Sequence, residues 1–300
     1  MKLAILILCH KNPEQINLFL DELNNNDIEF FIHIDAKSNI ENKIMKRANV
    51  HFLPEEQRVN MRWGTSSMIM ATVRLLKYAK AFRKFDYYWL CSGQDFPIEN
   101  SENIINYLSQ NAGNNFINFW KSSNYNGNIQ SYEKRTAIYY PECIMGRQLM
   151  PRIIKRLLVE ITGGYLHTFK IFNKEWKLKG KSVKFYYGSQ WVCITDGFLE
   201  WLLNFLNTNP DFFYICKHSV IPDEFFFQTV FMMSPFKGTQ HNFLHYVNWD
   251  NRPGKPRNSP NTLVLSDYNN IINSGYLMAR KFDLNVDSKV VKALMDKHRT

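Results

Sequence analysis

The chain has 300 residues, with Lys+Arg 37 against Asp+Glu 27, a formal charge of +10 and a sequence pI near 9.2. Hydrophobic residues at 45% and aromatic residues at 15% exclude disorder as the main state, and no apolar run approaches the roughly 20 residues that span a bilayer. Five cysteines, odd in number and without a Cys-x-x-Cys pair, argue against a disulfide framework or a zinc knuckle, and the surplus positive charge points to an anionic partner: nucleic acid, anionic lipid or a phosphorylated ligand.

The first third alternates strand and helix signals. Leu3 to Cys9 is a continuous apolar run, as in a strand buried on both faces. It reads as a first strand rather than a signal peptide, so the chain is expected in the cytosol. Asn12-Pro13 breaks the run, and Pro13 suits the first turn of a helix reaching about Leu23. Ile28 to Ile34 is a second β-rich run and Val50 to Leu53 a short third. Ser66 to Phe82 carries Met70, Val73, Leu76 and Ala79 at helical spacing. Tyr87 to Cys91 reads as another buried strand, Asn100-Ser101 caps a helix through Leu108, and Asn115 to Trp120 is strand-like. This order predicts an α/β layer with a largely parallel sheet. Ligands bind beyond the carboxyl ends of such strands. There the sequence places His10-Lys11, Asp35 to Ser38 and Ser92 to Asp95.

From Arg147 to Lys184 the chain is basic, with aromatic and aliphatic residues interleaved. That mixture suits an anionic membrane surface and equally suits a solvated helix face. Several familiar chemistries are missing: no Gly-x-Gly-x-x-Gly, no complete P-loop at Gly180-Lys181-Ser182, no Gly-x-Ser-x-Gly and no His-Glu-x-x-His. His241 and His245 lie four apart without a third metal ligand nearby in sequence, so no metal site is expected. There is also no Asp-x-Asp to carry a divalent ion on a diphosphate.

Two segments stand apart from generic core. In Ile221-Pro222-Asp223-Glu224-Phe225, paired carboxylates follow a proline and precede an aromatic run. At a helix start they stabilise the dipole; against an apolar wall, one can serve as a general base. In Ala279-Arg280-Lys281-Phe282-Asp283 two cations adjoin an aromatic, and Arg252, Lys255 and Arg257 lie upstream in a Gly/Pro-rich loop. Fixed cations of this kind can neutralise a leaving diphosphate.

These segments join others in a recognisable order: His33 to Ser38, Trp63 to Met68, Cys91 to Ile98, Gly188 to Trp191, Pro222 to Phe226 and Ala279 to Asp283. The chain thereby resembles the core-2/I-branching family of glycosyltransferases, which includes the peptide O-xylosyltransferases. The resemblance implies a single GT-A-like domain over residues 1–300, with a Rossmann-like, mostly parallel central sheet flanked by helices. Residues 1–120 would form its nucleotide-binding half, and 121–300 its acceptor-binding and catalytic half. It also implies an inverting mechanism, a UDP-sugar donor (GlcNAc or xylose foremost) and no cofactor or divalent metal. By position Glu224 matches the catalytic base and Lys281 the lysine on the donor diphosphate. Arg257 is the nearest match to the partner arginine, with Arg252 second and Arg280 a further donor-side cation. Asp35 matches a position near the uridine, and His10 adjoins it. Trp249 matches a tryptophan near the acceptor, with Asp223 and Asp95 placed on the acceptor side.

The partners expected are therefore a UDP-sugar and a glycan or lipid-linked glycan, with peripheral contact to the anionic inner face of the membrane and no nucleic acid. The setting expected is surface polysaccharide synthesis. Competing readings are a UDP-galactose or UDP-glucose transferase of the same fold, a basic nucleic-acid-binding module and a carbohydrate-binding protein without turnover.

Overall fold

The computed structural model describes residues 1–120, 135–145, 149–164, 167–168, 171–252 and 259–299. Strand β1 (Leu3–Cys9) is buried throughout. Leu3, Ile5, Ile7 and Cys9 enter one apolar cluster, while Ala4, Leu6 and Leu8 enter another. Alternation of side chains across a strand divides them this way, and two covered faces explain the unbroken apolar run. Helix α1 (Pro13–Glu22) begins with proline in its first turn after Asn12 in the left-handed conformation. Strands β2 (Ile28–Ile34) and β3 (Val50–Phe52), helix α2 (Ser67–Phe82) and strand β4 (Tyr87–Ser92) follow. β1 pairs in parallel with β2 on one side and with β4 on the other, and β2 pairs in parallel with β3. The chain order reverses between β1 and β4, which opens a crevice beyond their carboxyl ends.

β5 (Asp95–Pro97) leaves this sheet at once. Helix α3 (Ser101–Gln110) is capped by Asn100, whose side-chain oxygen accepts the Asn103 N–H at 2.9 Å. The strand expected from Asn115 to Trp120 shortens to β6 (Asn115–Phe116). The reason is that the Asn118 carbonyl accepts from the Gln228 side chain at 3.1 Å, not from a neighbouring strand. Helix α4 (Leu149–Ile161) and a small hairpin, β7 (Lys177–Leu178) with β8 (Lys181–Ser182), lie within the basic middle.

β9 (Cys193–Thr195) inserts antiparallel between β4 and β6, and Thr195 caps helix α5 (Asp196–Thr208). Helices α6 (Pro210–Lys217) and α7 (Phe226–Met233) flank the turn that bears the paired carboxylates. β10 (Gln240–His241) completes a seven-stranded sheet of order β10-β6-β9-β4-β1-β2-β3. The sheet is therefore mixed, with its parallel portion under the expected ligand crevice.

A second sheet has the order β11 (His245–Val247), β12 (Met278–Arg280), β5, with Arg280 opposite Asp95. Helices α8 (Tyr268–Ile272) and α9 (Lys289–Arg299) close the C-terminal part. His241 and His245 thus belong to different sheets, not to one helical face. Among the described residues no helix is long and apolar enough to cross a membrane. Cys9, Cys91, Cys193 and Cys216 are buried, and Cys143 is exposed.

One glycine fixes the junction of sheet and site. A Cβ on Gly188 would lie 1.8 Å from the Asn118 carbonyl oxygen. The Gly188 N–H donates to the Glu224 carbonyl at 2.8 Å. Backbone meets backbone here, so no flexible side chain can yield. Gly188→Ala is expected to destabilise the protein by roughly 2–3 kcal/mol or more, measured by urea unfolding; an unchanged midpoint would show that this approach is not tight.

Candidate active site

The crevice at the β1/β4 reversal is a cavity of about 740 Å³. Its floor is built from the loops after the parallel strands. His10 and Lys11 follow β1, Asp35 and Lys37 follow β2, and Ser92 to Gln94 follow β4. Gly93 is required for this turn, because a Cβ there would approach the Cys9 Cβ to 2.9 Å. The Asp35 carboxylate accepts the Lys37 N–H at 3.0 Å and lies 3.6 Å from the Lys37 ammonium. His10 is exposed, yet partial burial and then Lys11, with Lys37 and Lys281 beyond, hold its imidazole below the ordinary value. Lys11 is tied to Asp283 at 2.7 Å, which joins this floor to the segment carrying Lys281.

Lys281 lines the cavity and donates to the Ser259 hydroxyl at 2.9 Å. Arg280 also reaches the cavity, but its Nε donates to Asp95 at 3.0 Å and its guanidinium lies 4.1 Å from the centre of the Trp191 ring. Its charge is therefore largely balanced.

Asp95, expected on the acceptor side, is not among the residues that line the cavity. It is buried, and its oxygens accept from the Ser92 N–H at 2.8 Å, the Ser92 hydroxyl at 2.7 Å and Arg280. Arg280 and these hydrogen bonds hold its carboxyl below the usual range against the opposing effect of burial. Arg252 likewise does not line the cavity: both terminal nitrogens bind Asp267, one of them at 3.0 Å. Arg257 and Lys255 lie outside the described residues.

Asp223 and Glu224 occupy a short 3₁₀ turn, Pro222–Glu224, and both line the cavity. The preceding Ile221 is left-handed, and its N–H donates to the Gly64 carbonyl at 3.0 Å. Glu224 forms an ion pair with Arg135 through Oε2, and 29% of its side chain remains exposed. Oε1 is the oxygen left to accept a proton. Burial raises the Glu224 carboxyl above its ordinary value, and Arg135 partly offsets this.

Asp223 is pushed up to about 7, first by burial and then by the Glu224 charge. Its Oδ1 is buried without a hydrogen-bond partner. Neighbouring carboxyls shifted to different extents are the usual basis for dividing acid and base roles. Trp249 lines the cavity and is 57% exposed.

Arg135 escaped the sequence reading. It lies 89 residues before its partner, and the only hint was that a half-buried carboxylate needs a cation. Cys91, Asp95 and His245 cluster closely enough to bind a metal geometrically. Arg280 already pairs with Asp95, and burial holds the Cys91 thiol well above its ordinary value.

Asp223 yields a stability test. A carboxyl raised from 3.8 to about 7 in the folded state stabilises most at low pH. That contribution is fully present below 3.8 and is lost progressively as pH rises from there through about 7, above which a charge must be held in the interior. Asp223→Asn should raise Tm by a few degrees at pH 8, with the gain shrinking as pH falls and vanishing only below the unfolded value of 3.8. An equal gain at pH 8 and pH 5 in thermal melts would exclude this titration.

Comparisons with known proteins place this arrangement. The family model described as "Branch: Core-2/I-Branching enzyme" matches residues 3–272. A xylosyltransferase of Ciona intestinalis is 23% identical over 98% of this chain and 34% of its own length. Xylosyltransferase 2 of Rattus norvegicus is 23% identical over 98% and 33%, and xylosyltransferase 1 of Homo sapiens 21% identical over 98% and 30%. The chain thus spans about a third of these relatives. The crystal structure of S. aureus TarS 1-349 overlaps 56% of this chain and 53% of its own at 15% identity with a TM-score of 0.25, which carries no weight here. With the match running from the first strand to the helix before β12, the chain belongs to the Core-2/I-Branching enzyme family.

Proposed function

We propose that the protein is an inverting glycosyltransferase that moves GlcNAc or xylose from a UDP-sugar to a hydroxyl of a glycan, without a divalent ion. The observation that carries this is that Glu224 and Lys281 open onto one cavity, which also holds the loops at the strand-order reversal. The diphosphate would lie by Lys281, above the turn after β4, with the uridine toward Asp35. Glu224 Oε1 would take the proton from the acceptor hydroxyl as its oxygen attacks the anomeric carbon. The bond from that carbon to the β-phosphate oxygen breaks on the opposite face, and its electron pair leaves with UDP. An α-linked donor thus gives a β-glycoside. Arg135 holds the carboxylate in place, and Trp249 offers a face for the acceptor sugar.

The charges suit this sequence. Lys281 supplies a positive charge where the diphosphate becomes more negative, an effect worth roughly 3–4 kcal/mol for a well-placed group. Burial supplies a base stronger than a solvated glutamate. The acid limb of kcat/KM should accordingly lie above the ordinary glutamate value of 4.5.

Three measurements test the reading. Glu224→Gln should lower kcat by about 10²–10⁴-fold with UDP affinity retained; near-normal turnover would remove Glu224 as the base. Lys281→Ala should weaken UDP binding and lower kcat by about 10²-fold or more, while a chelator leaves the native enzyme active. In thermal shift, UDP-GlcNAc or UDP-xylose should raise Tm more than UDP-galactose or UDP-glucose; the reverse order would reassign the donor.

A further inference from the structure

A second cavity, of about 550 Å³, adjoins the first. Trp63 lines both. Gly64, beside it, anchors Ile221 and thereby the turn bearing Glu224. The Val220 N–H donates to the Arg135 carbonyl at 3.1 Å, so the lining of this second cavity reaches the residue that grips the base. The far side is α4, which turns Arg152, Lys155 and Arg156 to the cavity with Glu160 as the acidic residue among the lining groups. The Arg156–Glu160 pair is 3.2 Å long and highly exposed, 84% and 60%, so solvent screens it and little is lost when Arg156 turns to another anion. An adjacent column of the same helix, Leu149, Ile153, Leu157 and Ile161, is apolar and exposed. Residues four apart share one helical face. Cations therefore face the chamber while an uncovered greasy stripe runs beside them.

We propose that this chamber is an acceptor subsite for the phosphate of a lipid-linked sugar, with the lipid chain on the Leu149–Ile161 stripe. The inference rests on the glycosyl-transfer reading and specifies its acceptor class. Arginine forks match phosphate oxygens, and the stripe accounts for apolar surface that soluble ligands do not need. The glycan would pass Trp63 to present its hydroxyl at Glu224.

Isothermal titration of the full chain tests this with three probes: hexyl phosphate, inorganic phosphate and hexanol, each with and without saturating UDP. Hexyl phosphate should bind whether or not UDP is present, about tenfold tighter than inorganic phosphate, and hexanol should not bind measurably. Arg152→Ala/Arg156→Ala, at exposed helical positions that tolerate alanine, should weaken hexyl phosphate about tenfold or more and leave UDP affinity unchanged. Leu157→Gln should erase part of the advantage over inorganic phosphate. Unchanged hexyl phosphate affinity in the double variant, or displacement by UDP, would overturn the subsite. Equal affinity for inorganic and hexyl phosphate would overturn the lipid-linked acceptor. If UDP alone fails to bind, the donor reading falls, while the alkyl phosphate titrations still decide this chamber.

Discussion

The buried Asp95–Arg280 pair is the constraint on which the site depends. A carboxylate at 1% exposure is costly unless its oxygens are satisfied. Here Ser92 and Arg280 satisfy it, and so the turn after β4 is locked to β12. Lys281 follows Arg280 directly, so this pair sets where the donor-side ammonium emerges. The Arg280 guanidinium also packs over Trp191. Trp191 ends the short segment begun by Gly188, whose N–H holds the backbone of Glu224. A connected path of contacts thus runs from the candidate diphosphate lysine to the candidate base.

Much of the framework was legible in the sequence where burial writes a local pattern. β1 is covered on both faces and so reads as an unbroken apolar run, and β2 and β4 read as β-rich runs. The Asn100 cap and the spacing of α2 are also local signals. The polar loops beyond the strands follow from topology alone. Pairings over long separations were not legible. Asp95 was placed on the acceptor side by the resemblance; its burial and its pairing with Arg280 depend on the second sheet. Arg252 looked like a donor cation, but Asp267 claims it. Arg135 has no motif, and β6 is short because a glutamine from α7 takes the carbonyl that a strand would use.

The adjacent carboxyls show how one turn can separate two behaviours. Glu224 has a guanidinium on one oxygen and the cavity on its other side. Asp223 has a buried oxygen with no partner and its neighbour's charge beside it. Desolvation therefore acts on both, but a cation offsets it chiefly at Glu224. Their order in the chain gives no hint of this difference. It arises because Arg135 arrives from a distant segment and pairs with Glu224.

The indole of Trp63 has a bearing on inhibitor chemistry. It is shared by a nucleotide-sized pocket and a cationic one. A uridine fragment tethered around that ring to a phosphonate would gain the effective-concentration benefit of bivalency, provided that its linker matches the span.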